Sequence, residues 1–221
     1  MSLMEITFLG HSSFRLKGKK ATIITDPYDK QMVGFKFPKQ EADIVTISHD
    51  HQDHNRKDEV LGTPFIIERC GEYEISEVSI FGVRTFHDSS SGSERGENTT
   101  FIIEIEGLSL CHLGDLGHKL TDKQLEELDG VDILFVPVGG VVTVGPKEAA
   151  EIVAQIEPRI VVPMHYKEEG INLQVFGSLA EVSEFLKEMG VSSSGPQPKL
   201  SISLGELPEN LQVVVLERKS G

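Results

Sequence analysis

The stretch TISHDHQDHNR, Thr46 to Arg56, places three of the chain's eight histidines and two aspartates in the six residues from His49 to His54. The run just before it, DIVTIS at 43–48, is apolar and β-branched and reads as a strand. The polar hexad therefore lies in the loop leaving that strand's carboxyl end, and loops on such edges carry chemistry. In an extended chain, residues two apart point to the same side, so His49 and His51 can close on one metal ion. Asp53 and His54 fall beyond the turn and are better placed for a second ion. Imidazole nitrogen and carboxylate oxygen suit zinc first, with manganese, iron or nickel as alternatives. A merely solvated loop needs no such composition.

One loop cannot complete two coordination shells, so further ligands must stand at other strand ends. Three candidates do. His87 ends SIFGVRTFH, Asp115 ends LSLCHLGD, and His165 ends RIVVPMH. Each follows a β-like run and opens a loop. A single polar residue in such a place is commonly a cap, but three of them, all of ligand type, complement the hexad.

Outward from these motifs, the first half of the chain reads as short strands: MEITFLG, ATIITD, DIVTIS, PFIIE, SIFGVRTF, TTFIIEIEG and LSLCHLG. Glu106 to Leu108 forms a hairpin turn between the last two. From Thr121 helices alternate with two buried strands, DILFVPV and RIVVPM. Thr121 with Gln124, and Ser178 with Glu181, have capping-box spacing, and Pro146 fits the first turn of a helix running to about Ile156. Strands and helices in this mixture predict an α/β layered fold. A length of 221 residues fits one large domain or two small ones; the expectation is one domain over 1–221, with its motifs between about 6 and 166. Two segments read as mobile: 87–98, and 191–199, a flexible linker to a terminal strand LQVVVLE.

A net charge of −14 repels phosphate backbones, so nucleic acid is not the expected partner. The amino terminus has no basic segment followed by an apolar stretch, and no apolar run approaches the roughly 18 to 20 residues that cross a bilayer. The expectation is a soluble cytoplasmic protein with a small-molecule substrate and no membrane partner. Oligomeric state is open, and a homo-oligomer is compatible. Cys70 and Cys111 lack CxxC spacing and read as reduced, partly buried thiols.

The HxHxDH motif at 49–54, with His87, Asp115 and His165, resembles the metallo-β-lactamase fold superfamily. More narrowly, GHSSF, TDPY, HLGD, PVGG followed by GPKEA, and VVPMHY are similar to motifs of the ascorbate-6-phosphate lactonase-like branch of metal-dependent hydrolases. The resemblance implies a four-layer αββα sandwich with two metal ions at one edge between the sheets. It assigns His49, His51 and His87 to one ion, Asp53, His54 and His165 to the other, and Asp115 to the bridge. It also places Asp26, in IITDPY, beneath the histidine loop, where a carboxylate would fix the tautomer of a ligand histidine; an Asp-Pro turn start is the plainer alternative. His11, after FLG, is a second supporting candidate.

Two close cations bring the pKa of a shared water towards neutrality, so a metal-bound hydroxide is the expected nucleophile, oriented by Asp53 or Asp115. No G-x-S-x-G elbow or activated cysteine competes with it. His118, in GDLGH, is a candidate donor to a leaving group or oxyanion, or else surface polarity. Arg84, Lys119 and Lys167 lie close to candidate ligands in sequence and could contact an anion. His112 reads as structural, and Gly139 and Gly140 as allowing tight backbone passage. These features favour hydrolysis, and the resemblance to the lactonase-like branch implies a small polar or anionic lactone or ester as substrate. A phosphodiesterase or nuclease is the main rival. An oxygen- or nitric-oxide-reducing diiron protein ranks lower, because such proteins usually carry Glu where His51 stands, and a non-catalytic metal-dependent binding module is the fourth reading. True ascorbate-6-phosphate lactonases are considerably longer, so the resemblance carries the fold and the metal chemistry but not the substrate.

Overall fold

The computed structural model describes residues 2–192 and 195–221. In chain order the elements are β1 (Met4–Gly10), β2 (Ser13–Lys17), β3 (Thr22–Thr25), α1 (Lys30–Val33), β4 (Ile44–Thr46), β5 (Phe65–Ile67) and β6 (Gly71–Ile75). Next come β7 (Val78–Phe86), β8 (Glu97–Ile105), β9 (Leu108–His112), α2 (Asp122–Glu127), β10 (Ile133–Pro137), α3 (Pro146–Ile156) and β11 (Ile160–Met164). The chain closes with α4 (Leu173–Phe176), α5 (Val182–Glu188), β12 (Leu200–Ile202) and β13 (Gln212–Val213).

The strands form two mixed sheets, ordered β12-β1-β2-β3-β4-β5 and β13-β11-β10-β9-β8-β7-β6. Side-chain alternation explains why helices cover them. In β1, β3 and β4, Phe8, Ile23 and Ile44 join the core between the sheets, while Leu9, Ile24 and Val45 face a second cluster with Val33, Ile171 and Phe176. Phe14 meets Phe135 across the inter-sheet layer at a centroid distance of 4.4 Å. Strands β10 and β11 are buried along their whole length, as parallel strands covered on both faces must be, and α3 contributes Ala149, Ile152 and Val153 to the same core. The result is the expected α/β sandwich.

Several local readings hold and several do not. Thr121 and Gln124 make the reciprocal cap of α2, and Pro146 opens α3. The last long helix, in contrast, starts after Glu181, whose backbone N–H is held by Glu184, so Ser178 is not its cap. Strands β2, β6 and β12 were not apparent in the sequence. In β6, GEYEI, most side chains are solvated because the strand is a sheet edge, and edge strands carry charge that hides their pattern. The terminal strand shrinks to Gln212–Val213, preceded by β12 on β1. Segment 191–199 is not a free linker where it is described: Gln197 bridges to Leu216 and Lys199 bonds Glu5, while 193–194 lie outside the described residues. Both cysteines are free, Cys111 buried as expected but Cys70 exposed. Among the described residues no helix is long and apolar enough to cross a membrane.

Topology brings the motifs together. β1 and β3 are both antiparallel to β2 and so share a direction, and β4 runs parallel to β3. In the other sheet β7 and β9 flank antiparallel β8, and β9, β10 and β11 are parallel. Within each sheet, the strands that end in candidate ligands therefore deliver them to one common edge.

Candidate metal centre

At that edge the turn after β1 supplies His11, the turn after β3 Asp26, and the loop after β4 His49 to His54. His87, Asp115 and His165 follow β7, β9 and β11. His11, Asp26 and His165 have φ of 58°, 39° and 50°, left-handed backbone that non-glycine residues seldom adopt. Such conformations gather where function over-determines the chain. Close backbone passage supports them: a Cβ on Gly139 would stand 2.2 Å from the His165 carbonyl oxygen, and one on Gly114 would stand 2.3 Å from Asn98 Oδ1.

The side chains form two adjoining groups. His49, His51 and His87 bring ligand atoms within 4.8 Å of one another, and so do His11, Asp53, His54 and His165. Asp115 Oδ2 lies between the groups, 3.3 Å from Nε2 of His54, His87 and His165 and 4.0 Å from Nε2 of His49. His11, expected only to support the site, stands inside it, with Nε2 3.1 Å from Asp53 Oδ2.

Supporting bonds aim several rings. Asp26, fully buried, accepts from Ser48 N (2.7 Å), Ser48 Oγ (2.6 Å) and His54 Nδ1 (2.9 Å), leaving His54 Nε2 towards Asp115. Ser48 Oγ also meets His49 Nδ1 at 2.9 Å, which turns His49 Nε2 inward. Asn98 Oδ1 accepts from Asp115 N at 3.0 Å, while its Nδ2 donates to Thr85 Oγ1 and the Leu113 carbonyl. Glu168 accepts the His11 backbone N–H at 2.7 Å. Ser48, Asn98 and Glu168 were missed in the sequence; a buried Asn inside the apolar strand β8 was the one available signal.

The electrostatics suit a cation. Burial alone would raise the Asp115 carboxyl, but His165 and His54 beside it hold it well below the carboxylate range. Asp53 is likewise held well below that range against burial, by His54 and His11. Burial pushes His49 down to about 3 and His11 to about 4, so both are neutral ligands at physiological pH. Burial also opposes charge on His54, yet Asp115 and Asp53 outweigh it and raise that ring well above its ordinary value. The proton so held is the one a metal ion displaces.

Whether divalent ions fit can be judged from the atoms left over. His49 Nε2, His54 Nε2, His87 Nδ1, both nitrogens of His165 and Asp115 Oδ1 are buried without a hydrogen-bond partner. Buried polar atoms in such numbers are costly unless something satisfies them. Three imidazoles on one side, a carboxylate with imidazoles on the other, and a carboxylate between them form a donor set suited to divalent metal ions. The residues fit the group.

Other expected site residues fall elsewhere. His118 corrects the sequence reading: its Nδ1–H donates to the Lys119 carbonyl (2.7 Å), its Nε2 accepts from Phe86 N (3.1 Å), and it does not line the cavity over the cluster. Both nitrogens are committed to backbone, so it has no proton to give a leaving group. Arg84 is paired with Glu97, and Lys119 with Glu151 at 2.8 Å. Lys167 does not line the cavity either. His112 is structural, with Nε2 2.8 Å from the Ser12 carbonyl. Segment 87–98 is organised, because the Asp88 carboxylate accepts backbone N–H bonds from Ser90, Gly92, Glu94 and Arg95.

Two facing mixed sheets with a buried His/Asp cluster at one edge define a class, the metallo-β-lactamase type of α/β sandwich. Comparison with known proteins agrees: residues 5–165 match the model of the β-lactamase superfamily domain. The chain is 32% identical over 191 residues to a UPF0173 metal-dependent hydrolase of Thermococcus onnurineus, covering 74% of this chain and 85% of the relative. A crystal structure from Thermotoga maritima, assigned to the Zn-dependent hydrolases of the metallo-β-lactamase superfamily, superposes with TM-score 0.79 at 39% identity, covering 98% of this chain and all of the other. Igni18, a metallo hydrolase of Ignicoccus hospitalis, shares the fold at TM-score 0.66 and 21% identity, over 91% of this chain and 99% of its own. The chain belongs to the β-lactamase superfamily and, within it, to the UPF0173 metal-dependent hydrolase family.

Proposed function

We propose that the protein is a binuclear metal-dependent hydrolase acting on a small lactone or carboxylic ester that carries an anionic or polar group. The observation behind this reading is the convergence on Asp115 Oδ2 of the buried Nε2 atoms of His49, His54 and His165, none of which has a hydrogen-bond partner. That convergence lies beneath a cavity of about 400 Å³ whose lining includes His51, Asp53, His87 and Asp115. His49, His51 and His87 would hold one divalent ion, His11, Asp53, His54 and His165 the other, and Asp115 both. Zinc is the first candidate. When bound, such ions acidify water and polarise the scissile oxygen.

The chain's own residues supply the rest. Asp53 faces the cavity and is ionised, its carboxyl held well below the usual range against burial by His54 and His11. It can orient a nucleophile and relay its proton towards the leaving oxygen. Asp26 and Ser48 fix His54 and His49, and Asn98 fixes Asp115, so that the cluster is preorganised before substrate arrives. The cavity's walls beyond the cluster include Met32, Val142, Phe176 and Leu179, a lining that suits a small molecule.

Metal analysis of zinc-reconstituted protein should approach two equivalents per chain, and hydrolysis should be lost on chelation and restored by zinc. Stoichiometry below one would overturn the binuclear reading. Rapid cleavage of long RNA, falling steeply with salt, would replace the ester with a phosphodiester.

A further inference from the structure

The three cations suggested by sequence neighbourhood do not serve this cavity, and among its described lining residues one cation remains, Arg95. It is exposed, and its guanidinium pairs with no carboxylate among the described residues. Its position is built rather than incidental. Asp88, next to His87, accepts the Arg95 backbone N–H at 2.8 Å together with those of Ser90, Gly92 and Glu94, and this folds the loop back over the site.

The same cavity has an apolar wall that stability does not explain. Val141 is 68% exposed at φ 66°, a left-handed conformation that a β-branched residue strongly resists, and Val175 is 46% exposed. Strained backbone of this kind gathers at active sites and ligand clamps.

We propose that Arg95 is a specificity-determining residue. Its guanidinium would bind a peripheral carboxylate of a substrate whose aliphatic body lies against Val141 and Val175 and whose scissile carbonyl lies over the His/Asp cluster. The substrate class is then an amphiphilic monoanion, a lactone or ester with an apolar body and one carboxylate remote from the bond cleaved. This rests on the hydrolase reading above. Arginine suits the task because its planar fork meets a carboxylate through two parallel bonds.

The test compares mono-p-nitrophenyl adipate with p-nitrophenyl hexanoate, similar in length and differing by the terminal carboxylate, on zinc-loaded wild type, Arg95→Gln and Arg95→Lys. In Arg95→Gln, KM for the adipate ester should rise about tenfold or more with kcat nearly unchanged, the signature of lost uniform binding, while the hexanoate ester is unaffected. Arg95→Lys should fall between. Equal shifts for both esters, or none, overturn the assignment. Calorimetric titration of the same proteins with adipate and hexanoate reads the contact without turnover. If neither ester is cleaved the hydrolase reading falls, yet a tenfold loss of adipate affinity confined to Arg95→Gln still supports the anion site, and undiminished affinity overturns it.

Discussion

Replacing Asp26 by Asn isolates the role of the carboxylate beneath the cluster. Asp26 sits at φ 39°, a region that Asn tolerates, so backbone strain is not what the substitution changes. The amide oxygen can still accept from Ser48 N, and Ser48 Oγ can turn to accept from the new NH₂ group. His54 Nδ1 cannot adapt: its acceptor at 2.9 Å becomes a donor. Losing one charge-assisted bond at a fully buried site destabilises the metal-free protein by about 1.5–3 kcal/mol. The ring can escape only by giving up its Nδ1 proton and keeping the one on Nε2, the atom that faces Asp115 and would bind metal, so zinc affinity should fall about 10- to 100-fold. Burial works against the Asp26 charge, but His54, His112 and His49 hold its pKa below the ordinary value. A carboxylate with a lowered pKa stabilises fully above the unfolded value of about 3.9 and loses that contribution as pH falls through the folded value. The gap between wild type and Asp26→Asn should therefore narrow below pH about 4. Urea unfolding across pH and competition with a zinc chelator measure both quantities. An unchanged midpoint with wild-type zinc affinity would refute the view that Asp26 orients His54.

Three further outcomes are expected. Asp115→Ala removes the oxygen shared by the surrounding imidazoles, so bound metal should drop below one per chain and turnover should vanish while circular dichroism still shows a cooperative folded state; outright unfolding would make Asp115 a structural cap instead. Gly139→Ala forces a Cβ to within 2.2 Å of the His165 carbonyl oxygen, and the backbone shift should cost about 1–3 kcal/mol and displace His165, read as a lower Tm together with reduced metal occupancy. Burial works against charge on Asp88, but the backbone N–H groups of Arg95, Gly92, Glu94 and Ser90 hold its carboxyl down to about 2. Its ordering of the 87–98 loop should be complete above pH about 4 and fade as pH falls towards 2, seen as loss of protection from pepsin, whereas Asp88→Asn should open the loop at every pH.

The reach of the sequence can be judged residue by residue. His49, His51, Asp53, His54, His87, Asp115 and His165 were legible because metal chemistry uses few side-chain types and each stood at the end of an apolar run. Strand direction then carried all of them to one edge. The mixture of strands and helices gave an α/β layered fold, and the αββα order came from the resemblance of the motifs. What sequence proximity could not report is where a side chain points. His118 lies three residues past Asp115, yet both its nitrogens are taken by backbone, and Lys119 and Lys167 each lie close to a candidate ligand without lining the cavity. Arg95 lies eight residues past His87 and reaches the cavity because the backbone N–H groups of its loop converge on Asp88. Asn98, Ser48 and Glu168 act through hydrogen bonds to residues distant in the chain or to backbone, contacts that exist only once the strands have paired. Ligand identity is a property of residue type, which a sequence records. Orientation, pairing and the filling of buried bonding capacity depend on which groups meet in space, and folding alone decides that.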